Sequence, residues 1–266
     1  MYEKFFEMDK TPFVNDIPVD ALYISEKHKE ILGRLGYVAQ GNRFAVVTAG
    51  VGVGKSTLIR KFSHSLSPEQ YTVLYVSDSQ LTPRWFYKGL LDQLGIEAKF
   101  YRGDAKRQLQ KHLRIVREMH HRNVIVIVDE AHLLVKETLE EIRFVLNTEM
   151  DSYNPMALVL VGQNELWDKL KMPIYAAIRG RIDLKCELAG MDGAELDAYI
   201  QTHLSYAGGK VDIFTDAALQ EILRCSGGSA RAVNKVATHC LMYASQRAKK
   251  LIDDTMVKTV IEAELP

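Results

Sequence analysis

The segment TAGVGVGKST, Thr48 to Thr57, constrains this chain more than any other. It follows the apolar run Phe44, Ala45, Val46, Val47 and precedes the helical pattern LIRKF. Strand, glycine-rich loop and a helix opening on Lys-Ser is the context that a phosphate-binding loop requires. Gly50, Gly52 and Gly54 let successive main-chain N–H groups turn toward phosphate oxygens, and the helix N-terminus adds its partial positive charge. Lys55 can reach the outer phosphates, the Ser56 hydroxyl can meet Mg2+, and Thr57 continues the loop into the helix. The strict pattern places glycine six residues before the lysine; here that position is Ala49, a small residue beside Gly50.

A second motif stands downstream in NVIVIVDEAHLL, Asn123 to Leu134. Its unbroken Val and Ile run reads as a strand buried on both faces, as in a parallel sheet. The run ends on Asp129 and Glu130, at the sheet edge where open α/β folds bind ligands. Asp129 is placed for the Mg2+ shell and Glu130 to polarise an attacking water. Adjacent buried carboxylates are costly without a cation, so the pair points to nucleotide triphosphate chemistry with ATP and Mg2+. Asp129 to His132 spells DEAH, but helicases with that signature need two tandem sheet domains. The chain's 266 residues hold one plus a small appendage, so His132 receives no catalytic role.

The remaining pattern defines an α/β fold: a parallel sheet with helices on both faces, then an all-helical module. Strands are expected at residues 44–48, 71–77, 123–128 and 157–161. Helices are expected at 26–40, 55–66, 83–94, 104–121 and 137–150. After Leu188 only helices are expected, at 192–207, 215–225, 230–247 and 253–263, with Thr215 and Asp253 as N-caps. The domain reading is an N-terminal segment and first helix at 1–40, a core at 41–189 and a helical lid at 190–266. The early aromatics Tyr2, Phe5, Phe6, Phe13 and Tyr23 either form a flat adenine pocket or seal an edge of the core. Three scattered cysteines and the lack of a long apolar segment lead to a cytoplasmic expectation without membrane insertion.

With these motifs in place, the chain resembles AAA+ ATPases, and among them the general secretion pathway protein A family, whose fold is shared by ATPase helpers of DDE transposases. The stretches LVGQNEL (from Leu160), RGRIDLKCEL (from Arg179), AYIQTHLSYAG (from Ala198), IFTDAAL (from Ile213) and SGGSARAVNKV (from Ser226) carry the resemblance across essentially the whole chain. The resemblance implies that Gln163 is the first sensor, orienting the attacking water, with Asn164 beside it as the alternative. It implies that Arg181 reaches a neighbouring subunit's γ-phosphate, with Arg179 competing, and that Arg231 is the lid arginine of the second sensor. The family usually has proline before that arginine; this chain has Ala230. Nucleotide shared between subunits implies self-association into a ring or helical filament.

Charge distribution separates the two branches. Lys plus Arg and Asp plus Glu both number 34, so any nucleic-acid contact has to come from a local patch. Residues 99–122 supply one, with Lys99, Arg102, Arg107, Lys111 and Arg114 as candidate DNA contacts. Arg107, Lys111 and Arg114 fall at i, i+4 and i+7, on one helical face. A solvated amphipathic face is the plain alternative. Secretion-type members typically continue into a membrane segment, whereas this sequence ends after the lid. The expectation is therefore an ATPase that assembles on double-stranded DNA with little sequence preference, recruits or activates a DDE transposase and is released by hydrolysis. The competing expectation is a secretion-type assembly ATPase acting on protein partners at the membrane.

Overall fold

The computed structural model describes residues 2–77, 81–146, 154–210 and 212–264. In chain order it forms α1 (Tyr2–Phe5), α2 (Glu26–Gly41), β1 (Phe44–Ala49), α3 (Lys55–Ser65), β2 (Tyr71–Val76), α4 (Pro83–Gln93), α5 (Arg102–Glu118), β3 (Asn123–Val128), α6 (Lys136–Leu146), β4 (Ala157–Gly162), α7 (Asn164–Lys171), α8 (Ala176–Arg179), β5 (Leu184–Leu188), α9 (Gly193–Tyr206), α10 (Asp216–Ser226), α11 (Ala230–Gln246) and α12 (Asp254–Glu264). The chain divides into two compact units. One comprises Met1–Lys27, Gly50–Thr57 and Ala189–Pro266, the other His28–Ala49 and Leu58–Leu188.

In the second unit the described strands form one parallel sheet in the order β2-β3-β4-β1-β5. β1 and β4 are buried along their whole length, and β3 at every residue after Asn123. This matches strands whose sequences never alternate, because helices cover both faces. Val46, Val126, Val128, Leu158 and Leu160 pack with Phe86 and Tyr87 of α4, Leu109 and Leu113 of α5, Leu139 and Ile142 of α6, and Leu166 of α7. Register aligns Val128 with Leu160 and Leu160 with Val46, so Asp129 and Gln163 leave the sheet at the same edge.

β5 departs from the sequence reading, which placed no strand at Leu184–Leu188. LKCEL buries Cys186 and Leu188 while Glu187 faces out, the alternation of a strand with only one neighbour, β1. The basic helix starts at Arg102, two residues early. α6 follows expectation through Leu146, and the remainder of the expected helix, 147–150, lies outside the described residues.

The other unit is helical. Its core joins Leu196, Ile200 and Leu204 of α9, Ile222 of α10, Val233, Ala237 and Leu241 of α11, and Val257 of α12. Tyr2, Phe6, Met8 and Phe13 pack into that same core. The Lys27 ammonium bonds Glu195 at 2.6 Å, beside the Asp192–Glu195 capping box that opens α9. Thr215 and Asp253 cap α10 and α12 through bonds from the N–H groups of Ala218 and Met256. Gly228, at φ +75°, lets the chain pass against Met191, where a Cβ would fall 2.3 Å from the Met191 carbonyl.

Candidate nucleotide site

The glycine-rich loop and the N-terminus of α11 belong to the helical unit and touch one another. Gly52 and Gly54 have φ of +72° and +118°, which the loop needs to turn back on itself. The Arg231 N–H, one of the orphan donors at the start of α11, bonds the Gly52 carbonyl at 3.1 Å. Ser229 occupies the N-cap position, yet its hydroxyl donates to the Val51 carbonyl at 3.2 Å instead of capping its own helix. The Lys55 ammonium is buried and folds onto the Gly50 carbonyl at 3.1 Å. Ser56 is exposed in the first turn of α3, a turn without acidic residues. A lysine, an outward-facing hydroxyl and helix N–H groups with no competing carboxylate fit a polyphosphate anion.

At the end of β3, Asp129 is 5% exposed. Its Oδ2 accepts from the Tyr75 hydroxyl at 2.8 Å and its Oδ1 from the Glu130 N–H at 2.8 Å. Burial first, then the Asp129 carboxylate, push the Tyr75 phenol upward, so the phenol stays protonated and donates. A carboxylate has about four acceptor positions, so Asp129 keeps capacity for a divalent cation, and the donor set fits Mg2+. Glu130 takes the left-handed conformation, φ 50°, which turns its side chain out of the strand direction; the side chain is 42% exposed. His132 sits in the following short 3₁₀ turn, Ala131–Leu133, with Nδ1 3.4 Å from Glu130 Oε2 but without hydrogen-bond geometry. Gly162 at the end of β4 admits this turn, since a Cβ there would come within 3.2 Å of the His132 main-chain nitrogen.

Gln163 is the N-cap residue of α7 and half-buried, with Asn164 exposed as the first helical residue. Arg179 and Arg181 differ in use. The Arg179 guanidinium bonds the Leu170 and Lys171 carbonyls, closing the C-terminal end of α7. Arg181 lines a cavity of about 210 Å3 together with Phe44, Asn154 and Asp183. Arg231 is exposed.

The basic helix divides into two groups. Lys106 and Arg102 lie 3.2 and 3.8 Å from the buried Glu141 carboxylate, which also accepts from the Tyr87 hydroxyl at 2.5 Å. Burial drives Glu141 upward, but the Tyr87 and Lys106 contacts outweigh it and hold the group below its ordinary value. Arg107, Lys111 and Arg114 are exposed on one face, with Arg107 paired to Asp104 one turn back. Lys99 is exposed just before the helix. Two exposed aromatics each carry a cation: Trp85 with the Lys88 ammonium 4.8 Å from its ring, and Phe100 with the Arg84 guanidinium at 4.2 Å.

Sequence reasoning missed Tyr75 and Ser229. Tyr75 lies inside an expected strand and Ser229 just before an expected helix, and neither position announces its partner. A cap-type residue two positions before the lid arginine was the available signal.

A phosphate-binding loop after the first strand of a parallel sheet, with a carboxylate pair ending the third strand and a helical unit following, defines a P-loop nucleotide-binding fold. A family model described as "AAA domain" matches residues 38–170, and the chain belongs to that family. It is 33% identical over 258 residues to general secretion pathway protein A of Aeromonas hydrophila, covering 95% of this chain and 46% of that protein. It therefore spans less than half of that curated relative's length. Solved structures share the fold at low identity. The Aeropyrum pernix ORC2 protein has a TM-score of 0.69 at 14% identity, covering 94% of this chain and 70% of that one. A chain of Drosophila ORC bound to DNA gives 0.65 at 16%, covering 98% and 64%. The Thermotoga maritima RuvB branch migration motor gives 0.55 at 17%, covering 90% and 70%. Among the described residues no helix is long and apolar enough to cross a membrane.

Proposed function

We propose that this protein is an ATPase that assembles on double-stranded DNA in its ATP state, recruits or activates a DDE transposase, and lets go on hydrolysis. Gly50, Gly52, Gly54, Ser56, Thr57 and Lys55 would bind the phosphates, and Ser56 and Asp129 would hold Mg2+. The cation, when bound, supplies charge neutralisation at the phosphates. Glu130 orients and polarises the water, Gln163 aligns it, and Arg181 and Arg231 stabilise charge on the transferred phosphoryl group. Arg181 is the preferred finger on the family resemblance, with Arg179, whose guanidinium closes α7, as the competitor. In this reading subunits share nucleotide in a ring or helical filament.

The observation that carries the DNA reading is the exposed Arg107/Lys111/Arg114 face, in a chain of zero formal net charge. Lys99 and Arg102 add exposed cations, and Trp85 and Phe100 are exposed aromatics that each carry a cation. Cations concentrated on one face suit a phosphate backbone, and the lack of a base-reading motif implies little sequence preference. The structure of Drosophila ORC bound to DNA shows that a protein of this fold can engage DNA. A second reading rests on the curated relative: a secretion-type assembly ATPase acting on protein partners at the membrane.

The deciding experiment is duplex retention by the wild-type chain with ATP, with ADP and without nucleotide, at low and at physiological salt. ATP-dependent binding that falls steeply with salt supports the DNA reading. No retention with ATP at low salt overturns it in favour of the secretion reading.

A further inference from the structure

Among the described residues β2 is an edge strand, so half of its main-chain groups face no neighbouring strand there. At Tyr75 the Gln93 carboxamide takes that strand's place. Gln93 Oε1 accepts from the Tyr75 N–H at 2.9 Å, and its Nε2 donates to the Tyr75 carbonyl at 3.0 Å. Gln93 is the last residue of α4, and its Nε2 also bonds the Gly89 carbonyl one turn back at 3.0 Å, which fixes the carboxamide to its own helix. A pair of bonds between one side chain and one residue's N–H and C=O sets that residue's position along the edge.

Tyr75 faces Ile127 in the β2–β3 register. Its ring therefore runs diagonally along β3, the reach available to a long aromatic side chain, and its hydroxyl meets Asp129 Oδ2 two residues on at 2.8 Å. The other carboxylate oxygen is held by the Glu130 N–H at 2.8 Å, and the Asp129 N–H by the Val76 carbonyl at 2.8 Å. The Glu130 bond is local and turns with the peptide. Among the described residues, the Tyr75 bond is the one that ties the plane of the carboxylate to a different strand. Gln93, Tyr75 and Asp129 thus form a continuous hydrogen-bonded line from the end of α4 to the carboxylate assigned above to Mg2+.

We propose that Tyr75 is a positioning residue for the divalent cation, setting the orientation of the Asp129 carboxylate, and that Gln93 holds Tyr75 in place, so that helix α4 has a direct mechanical link to the metal ligand. This rests on the ATPase reading. Groups that orient a metal ligand typically contribute about 10- to 100-fold to metal affinity.

The test is a Mg2+ titration of ATP binding by the full chain, in parallel with ATP binding in excess chelator, for wild type, Tyr75→Phe, Gln93→Ala and the double variant. Tyr75→Phe should raise the Mg2+ needed for half-saturation about 10-fold while leaving chelator-resistant ATP binding unchanged. Loss of folding would depress both. Gln93→Ala should move the Mg2+ requirement the same way. The double variant should be no worse than Tyr75→Phe, because the two act in series. A Tyr75→Phe titration that superimposes on wild type, or additive effects of the two changes, overturns the proposal. Should Tyr75→Phe not fold, a Gln93→Ala protein with an unmoved Mg2+ titration overturns it equally. A wild-type chain with no Mg2+-dependent ATP binding would overturn the ATPase reading itself, an outcome distinct from an unmoved variant.

Discussion

The Arg231 main-chain N–H donates to the Gly52 carbonyl at 3.1 Å, so the first turn of α11 is bonded directly to the glycine-rich loop. The residue that the family resemblance makes a nucleotide sensor through its guanidinium is thus anchored to the loop through its backbone. Ser229, bonded to Val51 at 3.2 Å, doubles the attachment.

Gly52 should tolerate no side chain. A Cβ would lie 2.6 Å from Ser229 Oγ and 2.8 Å from Arg231 Cβ, at a φ of +72°. Gly52→Ala should cost about 1–3 kcal/mol from backbone strain alone and weaken ATP binding. Ser229→Ala, which loses one hydrogen bond, should cost about 1 kcal/mol and only slightly alter affinity. Chemical denaturation and nucleotide titration of the two variants give this ranking, and equal behaviour would mean that the loop does not need its attachment to α11.

Lys55→Ala and Glu130→Gln should fail differently. The first removes a phosphate contact and should weaken ATP binding. The second leaves binding intact and should lower turnover by at least about 100-fold, the lower range for a general base. Adding Arg181→Ala subunits to Glu130→Gln subunits should restore some turnover at mixed interfaces if nucleotide is shared, whereas Arg179→Ala should chiefly lower stability, since its guanidinium closes α7. Affinity, turnover and melting temperature for each protein separate these roles.

Much of this was legible because buried parallel strands carry their own signature. β1, β3 and β4 are apolar runs ending on loop residues, and the phosphate loop and Asp129-Glu130 are contiguous motifs. β5 escaped because an edge strand alternates: Lys185 and Glu187 break the apolar run while Cys186 and Leu188 alone are buried. The division of the basic helix escaped for another reason. Glu141 lies 35 residues from Lys106 in sequence, and a carboxylate that far away cannot be matched to its cations without the fold. Tyr75 and Asp129, 54 residues apart, were hidden in the same way.

His203 should make the helical unit acid-sensitive. It is 3% exposed, stacked on Phe13 at 5.2 Å, and its Nδ1 has no hydrogen-bond partner among the described residues. Burial lowers it from 6.5 to about 4. The folded chain therefore holds the ring neutral, while the unfolded chain takes up the proton first. Stability from this residue is complete above about pH 6.5 and is lost progressively as pH falls from 6.5 toward 4. The depression corresponds to as much as about 3 kcal/mol. Thermal melts at pH 7 and pH 5 should show a marked fall for wild type and a smaller one for His203→Phe, which keeps the stack on Phe13 and removes the titrating group. Parallel falls in both proteins would place the acid sensitivity elsewhere.

Charge reversal on the basic helix should separate DNA binding from folding. Arg107, Lys111 and Arg114 point outward, whereas Lys106 serves the buried Glu141. Changing the three outward residues to Glu replaces three cations by three anions on an exposed face. Surface substitutions of this kind typically alter stability by no more than about 0.5 kcal/mol each. Duplex retention should nonetheless disappear at salt concentrations where wild type binds, with ATP binding preserved. Lys106→Met should show the opposite pattern. It leaves Glu141 short of a cation and should cost about 1–3 kcal/mol of stability, while DNA binding by the protein that remains folded stays close to wild type. The salt dependence discriminates further, because every phosphate that a variant no longer neutralises should make the slope shallower by about 0.9. Wild-type duplex affinity in the triple variant would move the DNA-binding face to the neighbouring surface around Arg84, Trp85 and Lys88. Stability loss in the triple variant equal to that of Lys106→Met would mean that the outward face is structural after all.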